Sequence, residues 1–102
     1  MLQRDDLTLA IVGSTGAVGV ECLDLLDARE VPASNIRLFA SPRSAGKTVD
    51  YRGDTLTVEA LAEGCFAGVD IAIFSAGKPI SLEWGPKAVA QGAFVVDPFS
   101  YQ

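Results

Sequence analysis

The feature that most constrains this chain is an apolar run of strand length that breaks at a glycine and is followed by a helical pattern. The run covers residues 7–12, and glycines follow at Gly13, Gly16 and Gly19. In this order the first turn of the helix presents unpaired backbone N–H groups and the positive end of its dipole, which together bind an anion. The stretch therefore predicts the phosphate-binding turn of a nucleotide-binding fold.

The small residues of this turn support the prediction in different ways. Gly13 can adopt the backbone angles of a tight turn, Gly16 lets the chain approach a pyrophosphate, and Gly19 allows close packing of helix on strand. Thr15 adds a hydroxyl that can donate to a phosphate oxygen. The spacing is Gly-x-x-Gly-x-x-Gly, which differs from the dinucleotide fingerprint Gly-x-Gly-x-x-Gly. A turn of small residues without a ligand therefore stays open as an alternative.

The patterns after this turn predict an α/β fold. The predicted elements are helix 17–29, strand 36–40, a hairpin of strands 47–51 and 55–59, a short helical turn within 60–68, strand 69–74, helix 81–91 and strand 93–97. Gly53 and Asp54 are expected to form the hairpin turn. This order is typical of a Rossmann-like, doubly wound, mainly parallel sheet with a short antiparallel hairpin. Residues 1–102 are predicted to form one dinucleotide-binding domain.

Large apolar residues of the two predicted helices are expected to face the sheet. They are Val18, Cys22, Leu23, Leu25 and Leu26 in the first helix, and Leu82, Trp84 and Val89 in the second. Trp84 has a second interpretation, as a stacking platform for an adenine. Gly85 and Pro86 are expected to disturb the second helix.

Composition and charge argue against several classes of function. The chain has 102 residues and a formal net charge of −5, with 49% hydrophobic residues. The acidic balance argues against a general binder of nucleic acid or of membrane surfaces. No stretch has the length of a membrane span and the N-terminus is too polar for a secretory signal, so we expect a cytoplasmic protein. Cys22 and Cys65 lack metal-ligand spacing and there is no histidine, so no metal site is predicted.

The loop after the second strand indicates which dinucleotide would bind. An acidic residue at this position would bind the ribose 2′-hydroxyl of NAD. The chain instead has Ser41, Arg43, Ser44 and Lys47. Hydroxyls and a guanidinium hold a 2′-phosphate by charge-assisted hydrogen bonds, so the loop favours NADP. A polar surface loop without a ligand is the alternative.

A second loop of small residues follows the strand predicted at 69–74. It begins Ser75-Ala76-Gly77. Loops at the carboxyl ends of parallel strands line the ligand crevice, so this loop is expected to face the first glycine turn.

Three motifs in order and spacing resemble one enzyme family. They are residues 13–19, residues 40–47 and residues 70–77, and together they strongly resemble aspartate-semialdehyde dehydrogenase. The resemblance implies NADP-dependent reductive dephosphorylation of β-aspartyl phosphate to aspartate semialdehyde, a step in lysine, methionine and threonine biosynthesis. It covers residues 7–97, which correspond to the N-terminal cofactor-binding region of that family.

The resemblance also implies roles for single residues. Thr15, Gly16, Ala17 and Val18 would hold the pyrophosphate. Ser41, Arg43 and Ser44 would meet the 2′-phosphate, and Ser75, Ala76 and Gly77 would lie along the cofactor. The full set of predicted cofactor-binding residues is Gly13, Ser14, Thr15, Gly16, Ala17, Val18, Ser41, Arg43, Ser44, Ser75, Ala76 and Gly77.

The resemblance implies that catalysis takes place elsewhere. Family enzymes use a cysteine nucleophile and a histidine in a second domain, and Cys22 and Cys65 do not match the nucleophile's motif. Pro98 and Phe99 stand where the family usually has Asn followed by Ser or Thr, and no arginine follows. No catalytic residue is therefore predicted here, and the 102-residue chain alone is expected to be inactive. Its expected partners are NADP, the missing C-terminal catalytic domain and further copies in a homo-oligomer.

A second function remains open, from a different class. The chain would then be a non-catalytic binding module, either a truncated paralogue or a Rossmann-like domain that binds NADP or only a protein partner.

Overall fold

A computed structural model of the chain describes residues 7–13, 17–75 and 78–96. The elements within these ranges are β1 (Leu9–Val12), α1 (Ala17–Ala28), a 3₁₀ turn (Ala33–Asn35), β2 (Ile36–Ala40), β3 (Thr48–Tyr51), β4 (Asp54–Ala60), β5 (Ile71–Phe74), α2 (Lys78–Ala90) and β6 (Phe94–Val96). All predicted strands and both helices are present. The short helical turn and loop expected over residues 60–68 correspond to turns at residues 63–68, and Ala60 still belongs to β4.

The strands form one six-stranded sheet in the order β3-β4-β2-β1-β5-β6. All neighbouring strands are parallel except β3 and β4, which form the antiparallel hairpin. The predicted doubly wound, mainly parallel sheet is therefore confirmed. The order reverses at β1, which has β2 on one side and β5 on the other. In open parallel sheets this reversal opens a crevice at the carboxyl ends of the strands, where ligands bind.

The two helices cover opposite faces of the sheet, because successive residues of a strand point to opposite sides. Ile11 of β1 packs in one core cluster with Leu23 of α1. Its neighbours Ala10 and Val12 pack in the other cluster, with Ala88 of α2. Three phenylalanines, Phe39, Phe66 and Phe74, fill the centre of the α2-side cluster. The ring centroid of Phe66 lies 5.5 Å from that of Phe39 and 6.0 Å from that of Phe74.

The turn of the hairpin lies one residue earlier than expected. Arg52 and Gly53 both have positive φ, 48° and 82°, and Asp54 already belongs to β4. Two central residues with positive φ match the twist of an antiparallel pair. The hairpin is attached to the segment that follows α1, since the Tyr51 hydroxyl donates to the Val31 carbonyl at 2.7 Å.

Several side chains predicted to be buried are instead exposed. In α2 the buried side carries the small residues Ser81, Gly85 and Ala88. Small residues let the helix approach the sheet closely, and the large residues Leu82 and Val89 then lie on the outside, 68% and 59% exposed. Trp84 is partly buried against the core, as expected.

The first helix shows a similar difference. Leu23 is buried and Cys22 and Leu26 pack beside it, whereas Leu25 is 57% exposed because it lies at the margin of the buried side. Val18 lies in a helical turn whose side chains are outside the described part.

Pro86 does not interrupt α2, which runs from Lys78 to Ala90. Proline removes one helical hydrogen bond, to the carbonyl four residues earlier. That residue is Leu82, and both Pro86 and Leu82 are exposed, so water can take the place of the missing donor.

One part of the sheet has no helix over it among the described residues. Ile71 lies opposite Phe94 and Ile73 opposite Val96, so these four side chains share one face. It is the face of Ile11, which pairs with Ile73 and packs on the α1 side. Phe94 is 68% exposed. Parallel sheets usually have both faces covered, but within the described residues this part of the sheet does not. We call these four residues the β5–β6 apolar patch.

Candidate functional site

Gly13 lies at the carboxyl end of β1 and is held from both sides. Its N–H donates to the Phe39 carbonyl of β2 at 2.8 Å. Its carbonyl accepts from the Ser75 hydroxyl, which follows β5, at 3.3 Å. The φ of Gly13 is +89°, a conformation that favours glycine. The first residue of the predicted phosphate turn therefore has the backbone that the sequence prediction required.

Helix α1 begins at Ala17, directly after this turn. Ala17 and Val18 are its first residues, and the first N–H groups of a helix are the ones that can bind an anion. Gly19 is buried against the sheet side, consistent with close helix–strand packing. The predicted site residues Ser14, Thr15 and Gly16 lie outside the described residues.

The loop after β2 folds into a compact turn through its own backbone. The Ser41 carbonyl accepts from the N–H groups of Ser44 at 2.9 Å and Ala45 at 3.1 Å. The loop is then joined to β4, because Gly46 donates to the Val58 carbonyl and Val58 donates to the Lys47 carbonyl, both at 2.8 Å. These backbone hydrogen bonds define the shape of the loop.

The polar side chains of this loop are open to solvent. Ser41, Arg43 and Lys47 are exposed and Ser44 is half-buried. The register places Phe39 beside Val12, so Ser41 and Gly13 follow strands that end together. The structure thus brings the two predicted phosphate-binding segments to one edge of the sheet.

Ser75 completes this edge from the other side of β1. Val12 pairs with Phe74, so Ser75 lies level with Gly13. It is only 8% exposed, and its hydroxyl donates to the Val12 carbonyl at 2.8 Å as well as to Gly13. Its predicted companions Ala76 and Gly77 lie outside the described residues.

The cysteines do not form a catalytic centre in the described part of the chain. Burial, together with the charge of Glu21, raises the pKa of the Cys22 thiol, which lowers the fraction of nucleophilic thiolate at neutral pH. Cys65 is partly buried and packs against the α2-side core. Across residues 7–13, 17–75 and 78–96, no three His, Cys, Asp or Glu side chains are grouped to hold a metal ion.

The packing interpretation of Trp84 agrees with its surroundings better than the stacking one. The side chain contacts the α2-side core, and the Lys87 ammonium lies over its ring at 4.3 Å.

Neither described helix is long and apolar enough to cross a membrane.

Sequence reasoning missed the contacts that hold the turn. Ser75 was predicted as a residue along the cofactor, and nothing in its local sequence shows that its proton is directed at β1. The ends of β1 and β5 come together only when the two strands pair, and side-chain alternation within each strand does not show this pairing. The positive φ of Gly46, +93°, was also not predicted, although a glycine just before a strand was the available signal.

Comparison with protein families gives a match over nearly the whole chain. The model of the semialdehyde dehydrogenase NAD-binding domain matches residues 8–100. The aspartate-semialdehyde dehydrogenase of Legionella pneumophila is 52% identical over 91 residues, which are 89% of this chain and 26% of that protein. The enzyme of the same name from Bacillus subtilis is 44% identical, over 89% of this chain and 26% of its own length. The chain thus spans about a quarter of the length of these curated relatives.

Solved structures give the same result. A crystal structure of aspartate semialdehyde dehydrogenase II complexed with ASA, from Vibrio cholerae, matches with a TM-score of 0.83 and 42% identity. The match covers 90% of this chain and 30% of that one. A probable aspartate-semialdehyde dehydrogenase from Pseudomonas aeruginosa matches with a TM-score of 0.83 and 35% identity, over 89% of this chain and 27% of that one. These matches confirm the Rossmann-like fold and the family resemblance.

Proposed function

Since the chain belongs to the NAD-binding domain of the semialdehyde dehydrogenase family, we propose that it binds NADP as the cofactor domain of an aspartate-semialdehyde dehydrogenase. The reaction would be the reductive dephosphorylation of β-aspartyl phosphate to aspartate semialdehyde, in lysine, methionine and threonine biosynthesis. The observation that carries the proposal is the common edge formed by Gly13, the loop at residues 41–47 and Ser75. The cofactor's pyrophosphate would lie at the start of α1, where the helix dipole favours an anion.

The preference for NADP over NAD rests on the loop after β2. Residues 41–47 contain no acidic side chain, so nothing in the loop repels a 2′-phosphate. Arg43 is exposed on a turn of defined shape. A guanidinium on a preformed turn forms charge-assisted hydrogen bonds with a phosphate at little cost in ordering the backbone.

Calorimetric titration of the 102-residue chain with NADP and with NAD tests this preference. We expect NADP to bind more tightly than NAD. Adenosine 2′-monophosphate, which lacks the pyrophosphate, should compete with NADP because it carries the 2′-phosphate alone. Equal affinities for NADP and NAD would contradict the proposed cofactor choice.

Catalysis would need a second domain in addition to this one. Burial raises the pKa of the Cys22 thiol, Cys65 packs against the α2-side core, and the chain has no histidine to act as a base for acyl transfer. We propose that the C-terminal domain supplies the nucleophilic thiolate and the base. A purified chain assayed with aspartate semialdehyde, phosphate and NADP should form no NADPH. Steady turnover that is lost when Cys22 or Cys65 is alkylated would overturn this proposal.

The β5–β6 apolar patch indicates that another protein surface covers this face of the sheet. Phe94 and Val96 are exposed on an edge strand, and an exposed apolar edge pairs readily with another chain. We propose that the second domain covers the patch in the longer protein, and that the 102-residue chain alone self-associates through it.

Light scattering over a range of concentrations tests the patch. The wild-type chain should increase in mass with concentration, and Phe94→Glu should reduce that increase. Leu82→Glu is the matched control, because Leu82 is equally exposed at 68% but lies on the outer side of α2. A wild-type chain that stays monomeric at high concentration would overturn the self-association.

A non-catalytic binding module is the second candidate function. The observation in its favour is the lack of a histidine in the chain together with the raised pKa of the Cys22 thiol. The length of the complete reading frame discriminates between the two candidates. A downstream cysteine and histidine in family context would favour the enzyme, and their absence would favour the module.

A further inference from the structure

The hydroxyl of Ser75 is used within the protein. It donates to the Val12 carbonyl at 2.8 Å and, more weakly, to the Gly13 carbonyl at 3.3 Å. The backbone N–H of Ser75 donates to the same Val12 carbonyl at 2.8 Å. A serine hydroxyl has a single proton, so a proton shared between these two carbonyls is not available to a phosphate oxygen.

Gly13 is the point at which β1 ends and the phosphate turn begins. Its N–H is fixed by the Phe39 carbonyl at 2.8 Å, and its carbonyl is fixed by Ser75. Because a peptide unit is planar, holding the Gly13 carbonyl oxygen restricts rotation of the backbone at the end of β1. Phe39 of β2 and Ser75, which follows β5, therefore hold Gly13 on both sides in its left-handed conformation, with φ +89°.

We propose that Ser75 is a positioning residue, whose hydroxyl holds the end of β1 at Val12 and Gly13 so that the cofactor's pyrophosphate can approach the start of α1, and that it does not bind the cofactor through its own proton. This inference rests on the proposed function for the identity of the ligand. It replaces the sequence-based expectation that Ser75 lies along the cofactor as a direct contact.

The test compares two ligands and two variants of the full 102-residue chain. Ser75→Ala should weaken NADP about 3- to 10-fold, which is the loss expected when one buried hydrogen bond no longer orders the site. The affinity for adenosine 2′-monophosphate should stay unchanged, because that ligand needs only the loop at residues 41–47. Tyr51→Phe is the matched control, since it removes a hydroxyl-to-carbonyl bond of 2.7 Å that lies away from the turn. It should alter neither affinity.

Amide hydrogen exchange at Gly13 provides a readout that needs no ligand. Exchange should be faster in Ser75→Ala than in wild type and unchanged in Tyr51→Phe. Thermal unfolding shows whether each variant is folded. Should the alanine variant not fold, Ser75→Cys keeps a similar side chain with a weaker donor and allows the same comparison.

Each outcome decides the inference. Weaker NADP binding with faster exchange at Gly13 supports it. Weaker NADP binding with unchanged exchange overturns it in favour of a direct contact between Ser75 and the cofactor, and unchanged NADP affinity overturns it outright. If the wild-type chain binds neither nucleotide, the proposed function fails, and exchange at Gly13 alone decides whether Ser75 holds the turn.

Discussion

The two segments that would bind phosphates are held in place in different ways. Gly13, at the end of β1, is fixed by contacts with residues far away in the sequence, Phe39 and Ser75. The loop at residues 41–47 is shaped mainly by hydrogen bonds between its own neighbours, such as Ser44 to Ser41 at 2.9 Å. The first segment therefore depends on correct pairing of three strands, whereas the second depends on local turn formation and two backbone hydrogen bonds to Val58 of β4.

This difference has a consequence for how the site can be altered. Changes at the turn after β1 should affect folding and binding together, because its conformation is part of the sheet. Changes to side chains in the loop after β2 should affect binding alone, because Ser41 and Arg43 are exposed and the backbone carries the shape.

The largest effect is expected from Gly13→Val. A branched side chain at φ +89° costs about 1–3 kcal/mol in backbone strain. Relief of this strain by movement of the turn should reduce NADP affinity about tenfold or more. Urea unfolding and calorimetric titration measure the two effects.

Gly53→Val is the control for this prediction. Gly53 also has a positive φ, +82°, with open space around it, but it lies in the hairpin turn. The control should lose similar stability and bind NADP normally when folded. If both variants lose NADP affinity equally, the turn after β1 has no special role.

Arg43→Ala should have a large effect on binding and almost none on stability. Loss of a charged hydrogen bond to the 2′-phosphate costs about 1.5–3 kcal/mol of NADP affinity, while NAD affinity should not change. Arg29→Ala removes another exposed arginine, just after the end of α1, and should leave both affinities unchanged. A loss of NADP affinity in both variants would indicate a general charge effect.

Tyr51→Phe should reduce stability and leave binding unchanged. The variant loses the 2.7 Å hydrogen bond that joins the hairpin to Val31, at a cost of about 0.5–1.5 kcal/mol. The loop at residues 41–47 should keep its shape, because the hydrogen bonds of its turn join residues within the loop. Weaker NADP binding in this variant would mean that the loop depends on the hairpin more than the contacts indicate.

Tyr51 should also make stability depend on pH in the alkaline range. Burial raises the pKa of the Tyr51 hydroxyl, with Asp27 adding to the rise and Arg52 opposing it. The folded state then keeps the proton more tightly than the unfolded state. This contribution is fully present below the unfolded pKa of about 10 and is lost as pH rises through the higher folded value.

Urea unfolding between neutral pH and the alkaline range tests this dependence. The wild type should lose stability more steeply than Tyr51→Phe above the ordinary tyrosine pKa. Parallel curves for the two chains would contradict a role for this hydroxyl.

Much of the architecture follows from the sequence because its signals are local. The run at residues 7–12, the glycine at Gly13 and the helical pattern after it predicted β1, its turn and α1, and β2 matches its predicted bounds of Ile36–Ala40. Apolar runs and glycines at turns act within a few residues of chain, so the order of elements and the fold class can be read before any packing is known.

Which side chains are buried was decided by the tertiary structure. Leu82 and Val89 have apolar character but lie outside, because α2 approaches the sheet through Ser81, Gly85 and Ala88. Helical periodicity defines the possible faces of α2, but the fit of the helix on Phe74 and its neighbours selects one of them.

The same limit applies to the candidate site. The residue types at Gly13 and in residues 41–47 indicated phosphate chemistry from the sequence alone. The partners of the Ser75 proton were decided only when β1 and β5 paired in the register that places Val12 beside Phe74. A hydrogen bond between residues 62 positions apart has no local sequence signal, because its geometry exists only after the strands between which it forms have come together.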